Sequence, residues 1–576
     1  MNLFSDLRGT VIAALDQMTA EGLLPEGLDY ANVAVEPPRD PLHGDMATNA
    51  AMVLAKPAKQ KPRDIAEALA EKLRADTRIT QADVAGPGFL NMRLAPAVWQ
   101  GVIGTVLTQG QDFGRSDMGQ GQKINVEYVS ANPTGPLHVG HTRGAVFGDA
   151  LASLLDYSGH TVTREYYIND GGAQVDVLAR SVYLRYLEAH GQEVAFEDGT
   201  YPGDYLIPVG EALAKDKGDA WVDQPEEVWL EELRLYATEA MMDLIRADLA
   251  KLGIAHDVFA SEAELQAAGK PAEAEKWLRE QGLVYDGELE KPKGKTPDDW
   301  EPVELPLFRS TRFGDDQDRP IKKSDGSWTY FGADLAYHMQ KAENADALID
   351  IWGADHAGTV KRIKAAVAAL GEGKGTPVPF DVKLVQMVQL MRDGEPVKMS
   401  KRSGNFVTLA DVVDEVGKDV VRFTMLTRKP EAQMDFDFAK VVEASKDNPV
   451  FYVQYAHARI CSTMRKAAEE ELAPSDEALD ALTADDVALV KLAAQYPRLV
   501  ESAAQAREPH RIAFYLYDLA AAFHAFWNAG NDDSSKRVIL TQDPKLSGAR
   551  LYLVAQIGQV IRNGLGLLGV EAVEEM

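Results

Sequence analysis

The sequence predicts an α/β protein with a Rossmann-like parallel-sheet domain in the middle of the chain, an N-terminal α/β domain and an all-helical C-terminal domain. From Lys123 onward, a strand pattern, a helix pattern and a second strand pattern follow one another. Before this point short helical and strand patterns alternate, and past about residue 447 only long amphipathic helical patterns remain. A chain of 576 residues is also too long for one hydrophobic core.

The N-terminal domain is predicted to span residues 1–108. Asp64–Leu73 repeats its apolar residues at helical spacing, and Val84–Leu94 predicts a glycine-rich turn followed by a strand. The polar stretch 109–122 that follows is expected to be a linker.

The middle domain is predicted to span residues 122–446. It opens with a strand–helix–strand unit of the doubly wound kind, formed by Lys123–Val129, Val139–Tyr157 and Thr161–Ile168. Residues 190–310 are acidic and predict an insertion with several helices, whereas Ala347–Trp352 predicts a buried strand. The last domain, 447–576, begins at Asp447-Asn448-Pro449.

Composition restricts the class of protein. The net charge of −29 by itself argues against nucleic-acid binding, although a local cluster of Lys and Arg would suffice for phosphate contacts. The lone Cys461 excludes a disulfide framework and a cysteine-rich zinc site. The N-terminus does not resemble a secretory signal, and no apolar stretch is long enough to span a bilayer, so we expect a cytoplasmic protein without a membrane partner.

The strongest local signal is a pair of histidines where a predicted helix begins after a strand, His138-Val139-Gly140-His141. A helix N-terminus offers free N–H groups and the positive end of the helix dipole, which suits phosphate. Imidazoles there can stabilise charge on an α-phosphate, and Gly140 lets an adenine ring approach the backbone. Taken alone, such a motif more often marks surface histidines at a helix cap, and no third ligand supports a metal site.

The second signal is a basic loop that follows the turn Arg392–Glu395, with the sequence Lys398-Met399-Ser400-Lys401-Arg402. Two lysines on such a loop suit a clamp on a triphosphate, because an ammonium group can neutralise the leaving pyrophosphate. Alone, the segment more often indicates a solvated basic loop. The chain has no GxxxxGK[ST] loop and no GxGxxG after a strand, which excludes those two nucleotide-binding motifs.

In this order, the two signals resemble the "HIGH" and "KMSKS" motifs of class I aminoacyl-tRNA synthetases, with Arg402 in place of the final serine. Five stretches narrow the resemblance to arginyl-tRNA synthetases over essentially the whole chain: Glu127–His141, Glu165–Asp170, Tyr201–Tyr205, Trp352–His356 and Phe451–Arg459. The resemblance implies a ligase that joins L-arginine to its tRNA through an arginyl-adenylate and releases pyrophosphate and AMP.

The resemblance also implies which residues hold ATP. The expected ATP-binding residues are His138, Gly140, His141, Gly353, Asp355, Lys398, Met399, Ser400 and Lys401. Four of them are expected to be catalytic, namely His138, His141, Lys398 and Lys401. Mg²⁺ is expected to arrive with ATP, without a dedicated protein site.

An arginine pocket needs acceptors for a planar guanidinium, and a carboxylate meets this need best because it can bond bidentately. Tyr330 and Asp334 are four residues apart and would share one face of a helix. The resemblance assigns guanidinium binding to these two residues; without it, Asp334 would be interpreted as an ordinary surface acid. The other implied pocket residues are Glu127, Ser130, Asn132, His141 and His356.

For tRNA, the resemblance implies that the N-terminal domain binds the D-loop at the elbow and that the helical domain binds the anticodon. Phe89 and Asn91 match the D-loop positions, while Tyr452 and Tyr455 could stack on anticodon bases. Phe89 and both tyrosines are equally typical of core residues. A further aromatic stripe is expected to be bundle core: Phe514, Tyr515, Tyr517, Phe523, Phe526 and Trp527.

The family's usual state implies a monomer, and the family also implies that arginine activation requires bound tRNA. Three alternative functions fit the sequence less well. Another class I synthetase is disfavoured because zinc-binding cysteines and a large editing insertion are absent. A small-molecule nucleotidyltransferase would not need so long a helical tail. The intact histidines and lysines argue against a catalytically inactive RNA-binding relative.

Overall fold

The computed structural model describes residues 2–288, 303–397, 407–443, 445 and 447–576. The chain forms two units, one from residues 119–444 and one from residues 1–118 together with 445–576. Inside this second unit, Lys491 Nζ lies 2.6 Å from a carboxylate oxygen of Asp45. The two ends of the chain therefore pack into one body, and the predicted three-domain division, with its boundaries at 108, 122 and 447, stays a prediction.

The N-terminal part is an α/β domain with a four-stranded antiparallel sheet in the order β1-β2-β4-β3. Its elements are α1 (Leu3–Ala20), β1 (Val35–Glu36), β2 (Met46–Thr48), α2 (Ala50–Ala58), α3 (Pro62–Leu73), β3 (Ile79–Ala85), β4 (Phe89–Leu94) and α4 (Pro96–Gln109). The predicted helix and strand are confirmed as α3 and β4. Gly88, at a φ of +150°, forms part of the predicted turn, where an added Cβ would lie 2.7 Å from Pro62.

The central unit contains a five-stranded sheet in which every neighbouring pair is parallel. The order is β12-β11-β5-β6-β7, with strands β5 (Lys123–Glu127), β6 (Thr161–Ile168), β7 (Val258–Ser261), β11 (Ala347–Gly353) and β12 (Phe380–Val385). The helix α5 (Val139–Tyr157) connects β5 to β6, which confirms the predicted unit and the Rossmann-like class. The predicted face of α5 is buried, at Val146, Phe147, Ala150, Leu151, Leu154 and Leu155.

The strand order places a topological switch point between β5 and β11. The chain runs from β5 outward through β6 to β7, and it later returns to the other side of β5 with β11. In open parallel sheets, ligands bind in the crevice at the carboxyl ends of the strands where the order reverses. The sheet therefore points to the ends of β5 and β11 as the place for a site.

The segment that was predicted as a helical insertion contributes helices and also strands. Its helices are α6 (Ala173–Ala189), α7 (Ile207–Lys217), α8 (Glu226–Lys251), α9 (Glu262–Ala267) and α10 (Lys270–Glu280). The first three of these share a hydrophobic cluster that contains Trp221 and Trp229. Edge strand β7 also lies in this segment, as does β8 (Val284–Glu288), which pairs with β9 (Glu304–Phe308).

The central unit contains further helices and strands outside the parallel sheet. Its elements are β10 (Arg319–Pro320), α11 (Tyr330–Asn344), α12 (Val360–Lys374), β13 (Val388–Arg392), β14 (Glu395–Pro396), α13 (Leu409–Val416), α14 (Lys418–Met425), β15 (Met434–Asp437) and α15 (Phe438–Val441). Arg422 and Asp149 form a buried ion pair at 2.6 Å that joins α14 to α5. Helix α14 is thereby anchored in the core.

The C-terminal part is helical, as predicted. Its helices are α16 (Pro449–Glu469), α17 (Ala484–Ala493), α18 (Tyr496–Ala506), α19 (His510–Asp532) and α20 (Pro544–Leu567). Asn448 and Pro449 begin α16 because proline suits the first turn of a helix. Across the described residues, we found no helix that combines the length and apolar character needed to cross a membrane.

Candidate active site

A cavity of about 530 Å³ lies at the carboxyl ends of β5 and β11, at the switch point of the sheet. It is lined by eleven of the residues singled out in the sequence: Glu127, Ser130, Asn132, His138, Gly140, His141, Tyr330, Asp334, Gly353, Asp355 and His356. These residues come from positions 127–356 of the sequence, and the fold brings them to one place.

A strained turn ends strand β5 two residues earlier than predicted. Val129 and Ser130 have φ angles of +72° and +42°, a backbone region that a β-branched residue rarely adopts. The Ser130 N–H donates to the Tyr128 carbonyl at 3.1 Å, which closes the turn. Ser130 Oγ then donates to Glu127 at 3.0 Å and accepts from the Tyr167 N–H at 3.1 Å. Such strain is concentrated at functional sites, where surrounding bonds hold it in place.

The two histidines pack against each other at the start of α5. Their rings stack with centroids 3.8 Å apart, and His138 Nδ1 accepts a hydrogen bond from the Gly140 N–H at 3.1 Å. A Cβ on Gly140 would lie 2.8 Å from the His138 ring and 3.2 Å from Met387, so only glycine fits here without movement. The pair therefore lines the cavity beside the N-terminus of a long helix.

The histidine turn is hydrogen-bonded to the residues that follow the second motif in the sequence. The Val139 N–H donates to the Val407 carbonyl at 3.3 Å, and the Leu409 N–H donates to the Leu137 carbonyl at 2.7 Å. The motif residues Lys398, Met399, Ser400 and Lys401 lie outside the described residues. Their place in the site stays a prediction.

Acidic side chains form one wall of the cavity. Tyr330 and Asp334 both line it from α11, which confirms that they share a helix face. Burial raises the pKa of Asp334 to about 6, and the nearby positive charges of His338 and Arg362 only partly offset this rise. Within the described part of the chain, the Asp334 carboxylate has no hydrogen bond or ion pair with a protein group. The Asp334 carboxylate is therefore available to accept hydrogen bonds from a cationic ligand.

Glu127 belongs to a buried network of charges beneath this wall. Lys341 Nζ donates to Glu127 at 2.7 Å and to Asp350 at 2.6 Å. His338 Nε2 lies 3.0 Å from Asp350, and its Nδ1 lies 2.7 Å from the Asp334 carbonyl. Because both oxygens only accept, the ring donates from both nitrogens and is an imidazolium. Burial alone would lower the pKa of His338, but the hydrogen bond to Asp350 and the negative charges of Asp350 and Glu127 together outweigh burial, so the pKa is raised.

A second carboxylate, which the sequence did not single out, faces the cavity from the start of α9. Glu262 is buried, and burial raises the pKa of its carboxyl although the Tyr167 hydroxyl bonds to it. Gln266 also donates to it at 2.9 Å. With Glu127, Asp334 and Asp355, four carboxyl groups of the described residues line the cavity.

The residues at the end of β11 form the opposite rim. Asp355 and His356 are exposed, with 3.7 Å between their side chains. Gly353 precedes them, and a Cβ there would lie 2.4 Å from the Asp355 carboxylate. Asn132 sits across the cavity and accepts from Asn169 at 3.0 Å.

The predicted D-loop residues lie in the N-terminal part of the chain. Phe89 is 45% exposed and lines a cavity of about 500 Å³ together with Asn91, Arg39 and His43. The ring is therefore not part of the core.

The two predicted tyrosines of the helical part lie in an aromatic cluster. Tyr455 is exposed, and the Arg459 guanidinium lies over its ring at 4.4 Å. Tyr452 is half-buried and packs on Tyr517. In the stripe that we expected to be core, Tyr515 and Phe523 are buried, Phe526 and Trp527 are half-buried, and Phe514 and Tyr517 are exposed, so the expectation holds only in part.

Comparison with known proteins decides the family. The chain is 67% identical over 577 residues to an arginine–tRNA ligase of Novosphingobium aromaticivorans, which covers 100% of this chain and 99% of that protein. This chain belongs to the arginine–tRNA ligase family. A second relative of the same name, from Ruegeria pomeroyi, is 65% identical and covers 100% of both chains.

Models of individual domains cover most of the chain. Residues 5–94 match the arginyl tRNA synthetase N terminal domain, and residues 102–200 match the catalytic domain of tRNA synthetases class I (R). Residues 341–437 match tRNA synthetases class I (I, L, M and V), and residues 453–576 match the DALR anticodon binding domain. The fold also resembles arginyl-tRNA synthetase of Thermus thermophilus, with a TM-score of 0.73 and 22% identity over 99% of this chain and 100% of that chain.

Several residues of the cavity and of the charge network beneath it were missed in the sequence although signals for some of them exist. His338 lies four residues after Asp334 and Lys341 seven, so both share its helix face. Asp350 is an acid inside an apolar strand, where a buried charge demands a partner. Glu262 and Arg362 gave no such signal, because only the sheet order brings them to the cavity.

Proposed function

We propose that this chain activates arginine with ATP and transfers the arginyl group to tRNA in the cavity at the ends of β5 and β11. The observation that carries the proposal is one cavity with a histidine pair on one side and the unpartnered Asp334 beside Glu127 on the other. Membership of the arginine–tRNA ligase family supports the same reaction.

The acidic wall binds the guanidinium of arginine. Asp334 accepts from the planar N–H fork, and Tyr330, which is 68% exposed, closes over the guanidinium from one turn earlier on α11. Glu127 and Glu262 add negative charge that matches the cation. Ser130 and Asn132 hold the α-amino and carboxylate ends of the amino acid, and His141 and His356 line the same cavity.

In the first step, an arginine carboxylate oxygen attacks the α-phosphorus of ATP, and the bond to the bridging oxygen breaks so that pyrophosphate leaves. His138 and His141 stabilise negative charge on the α-phosphate from the N-terminus of α5. Gly140, Gly353 and Asp355 line the space for adenosine. ATP enters as its Mg²⁺ complex, and Lys398 and Lys401, with Met399 and Ser400, neutralise the leaving phosphates.

In the second step, a hydroxyl oxygen of the terminal tRNA ribose attacks the carbonyl carbon of the adenylate. The ester bond to tRNA forms, AMP leaves with the electron pair, and the hydroxyl proton is released. The chain contributes positioning here, which can supply much of the acceleration when the reacting groups are held in place.

The tRNA contacts are assigned to the domains at the two ends of the chain. Residues 1–108 bind the D-loop through Phe89, whose exposed ring suits base stacking, and through the half-buried Asn91 that lines the same cavity. Residues 447–576 bind the anticodon through Tyr452 and Tyr455, and the match of residues 453–576 to an anticodon binding domain supports this. Residues 122–446 carry the chemistry, with the insertion at 190–310. The acting form is a cytoplasmic monomer.

Exchange of labelled pyrophosphate into ATP tests the proposal. Each of the twenty amino acids is assayed with and without arginine-accepting tRNA. Exchange with arginine, and with no other amino acid, is the expected result, and dependence on tRNA would support the coupling that the family implies. Exchange with a different amino acid, or none with tRNA present, would overturn the proposed function.

A further inference from the structure

Beneath the arginine-binding wall lies a buried cation that touches no space open to the substrate. The Lys341 side chain is 1% exposed, and its ammonium group bridges Glu127 of β5 and Asp350 of β11. Lys341 is absent from the cavity lining, whereas Glu127 is part of it. The lysine therefore reaches the site only through its carboxylate partners.

From this geometry we propose that Lys341, supported by Asp350 and His338, is a positioning residue that keeps Glu127 ionised and aimed at the guanidinium of arginine. The inference rests on the proposed function, and it assigns the arginine specificity of the cavity to a layer beneath the residues that touch the substrate.

The hydrogen bonds leave Glu127 little freedom. One carboxylate oxygen accepts from Lys341 at 2.7 Å and the other accepts from Ser130 Oγ at 3.0 Å. Asp350 holds the ammonium from the opposite side at 2.6 Å and accepts from His338 at 3.0 Å. Because Glu127 and Asp350 each carry one negative charge and Lys341 and His338 each carry one positive charge, the layer is neutral. The negative charge of Asp334 is then not balanced by this layer and can pair with the guanidinium of the substrate.

Burial alone would favour a neutral Glu127. Burial and the negative charge of Asp350 raise the pKa of this carboxyl, and Lys341 and His338 offset this rise only in part, so the pKa is raised even with the lysine in place. The titratable and charged groups that face Glu127 from the packed elements are Asp334, Tyr337, His338 and Lys341 of α11, Asp350 of β11, Glu165 and Tyr167 of β6, Glu262 of α9 and Arg362 of α12. Lys341 is the cation in direct contact, so its loss favours protonation of Glu127 more than the loss of any other cation in this set.

The test compares the KM for arginine in wild type and in Lys341→Met between about pH 6 and pH 9, by charging of tRNA with labelled arginine. We expect the KM for arginine to rise about tenfold or more near neutral pH, and to fall back toward the wild-type value as pH rises. The KM for ATP should stay within about threefold of wild type. Asp334 titrates near the lower end of this pH range in wild type, and loss of the Glu127 charge lowers its pKa further, so a difference between the two profiles above neutral pH reports on Glu127.

Two further variants separate positioning from general damage. Arg422→Met removes another buried cation from an ion pair, with Asp149, that lies outside the cavity lining, and it should leave the pH profile of the KM for arginine unchanged. In a Glu127→Gln background, Lys341→Met should add less than about threefold, because the lysine then has no carboxylate to hold there. If Lys341→Met does not fold, Lys341→Gln is measured instead, since its amide can still donate to Asp350.

The outcomes are distinct. A wild-type protein that does not charge arginine overturns the proposed function. A wild-type protein that does so, with a Lys341 variant whose KM for arginine is unchanged or is raised equally at every pH, overturns the positioning role alone. Effects of Glu127→Gln and Lys341→Met that multiply independently would overturn it as well.

Discussion

The substitution Asp334→Asn should make the protein more stable and at the same time a much poorer enzyme for arginine. Asp334 is half-buried at the cavity wall, and in the described part of the chain its carboxylate has no protein partner. Asparagine has nearly the same shape but carries no charge. The loss of charge therefore removes a cost in the empty protein and an attraction in the complex.

The stability effect follows from the pKa, which burial raises to about 6. A carboxyl with a raised pKa binds its proton more tightly in the folded state, so the free energy of unfolding decreases as pH rises from about 4 to about 6 and stays lower above that range. A shift of about two pKa units corresponds to about 3 kcal/mol as an upper limit. At about pH 8, Asp334→Asn should therefore exceed wild type by about 1–3 kcal/mol, whereas at about pH 4 the two should be alike.

Asp334→Asn should lower the activity with arginine, although it raises the stability of the protein. Removal of one member of a buried charge pair costs about 2–5 kcal/mol, which is about 30-fold to several thousand-fold in kcat/KM for arginine. Thermal melting at both pH values and arginine-dependent charging of tRNA measure the two effects. Glu343→Gln, at the exposed end of the same helix, is the control and should change neither quantity. A less stable Asn variant at high pH, or an unchanged kcat/KM, would refute the reasoning.

Three other substitutions lead to specific predictions. Gly140→Ala places a Cβ 2.8 Å from the His138 ring, so kcat should drop about tenfold or more while the melting temperature changes little; unchanged kcat in a pyrophosphate-exchange assay would contradict this. Arg422→Met removes the short ion pair of Asp149 and leaves this carboxylate only the longer contacts with Arg164 at 3.7 Å and Tyr128 at 3.5 Å; it should lower the free energy of unfolding by about 3 kcal/mol in denaturant titrations, and a loss below about 1 kcal/mol would show that the pair is dispensable. Tyr455→Ala should raise the KM for tRNA by about 5- to 150-fold without altering the KM for arginine, and an equal change in both constants would argue against anticodon stacking.

The sequence alone determined the local elements and the chemistry of the motifs. The predicted segments correspond to β5, α5, β6 and β11, because their apolar periodicity is itself the consequence of one buried face. The end of β5 was misjudged because the positive φ of Val129 depends on the bonds that Ser130 makes to Glu127 and to β6. The resemblance to arginyl-tRNA synthetases supplied most of the residues expected to bind ATP and arginine, and those among them that the structure describes line one cavity.

Only the tertiary structure decided which charged side chains contact one another. Glu127 lies 214 residues before Lys341 in the chain, and the parallel pairing of β11 with β5 sets Asp350 opposite Glu127. Strand β7 was hidden in an acidic, mostly helical segment, and it is the edge position in the sheet that brings Glu262 to the cavity. Periodicity is a property of neighbouring residues, whereas burial of a charge and the partner that balances it depend on strand order, which local patterns do not encode.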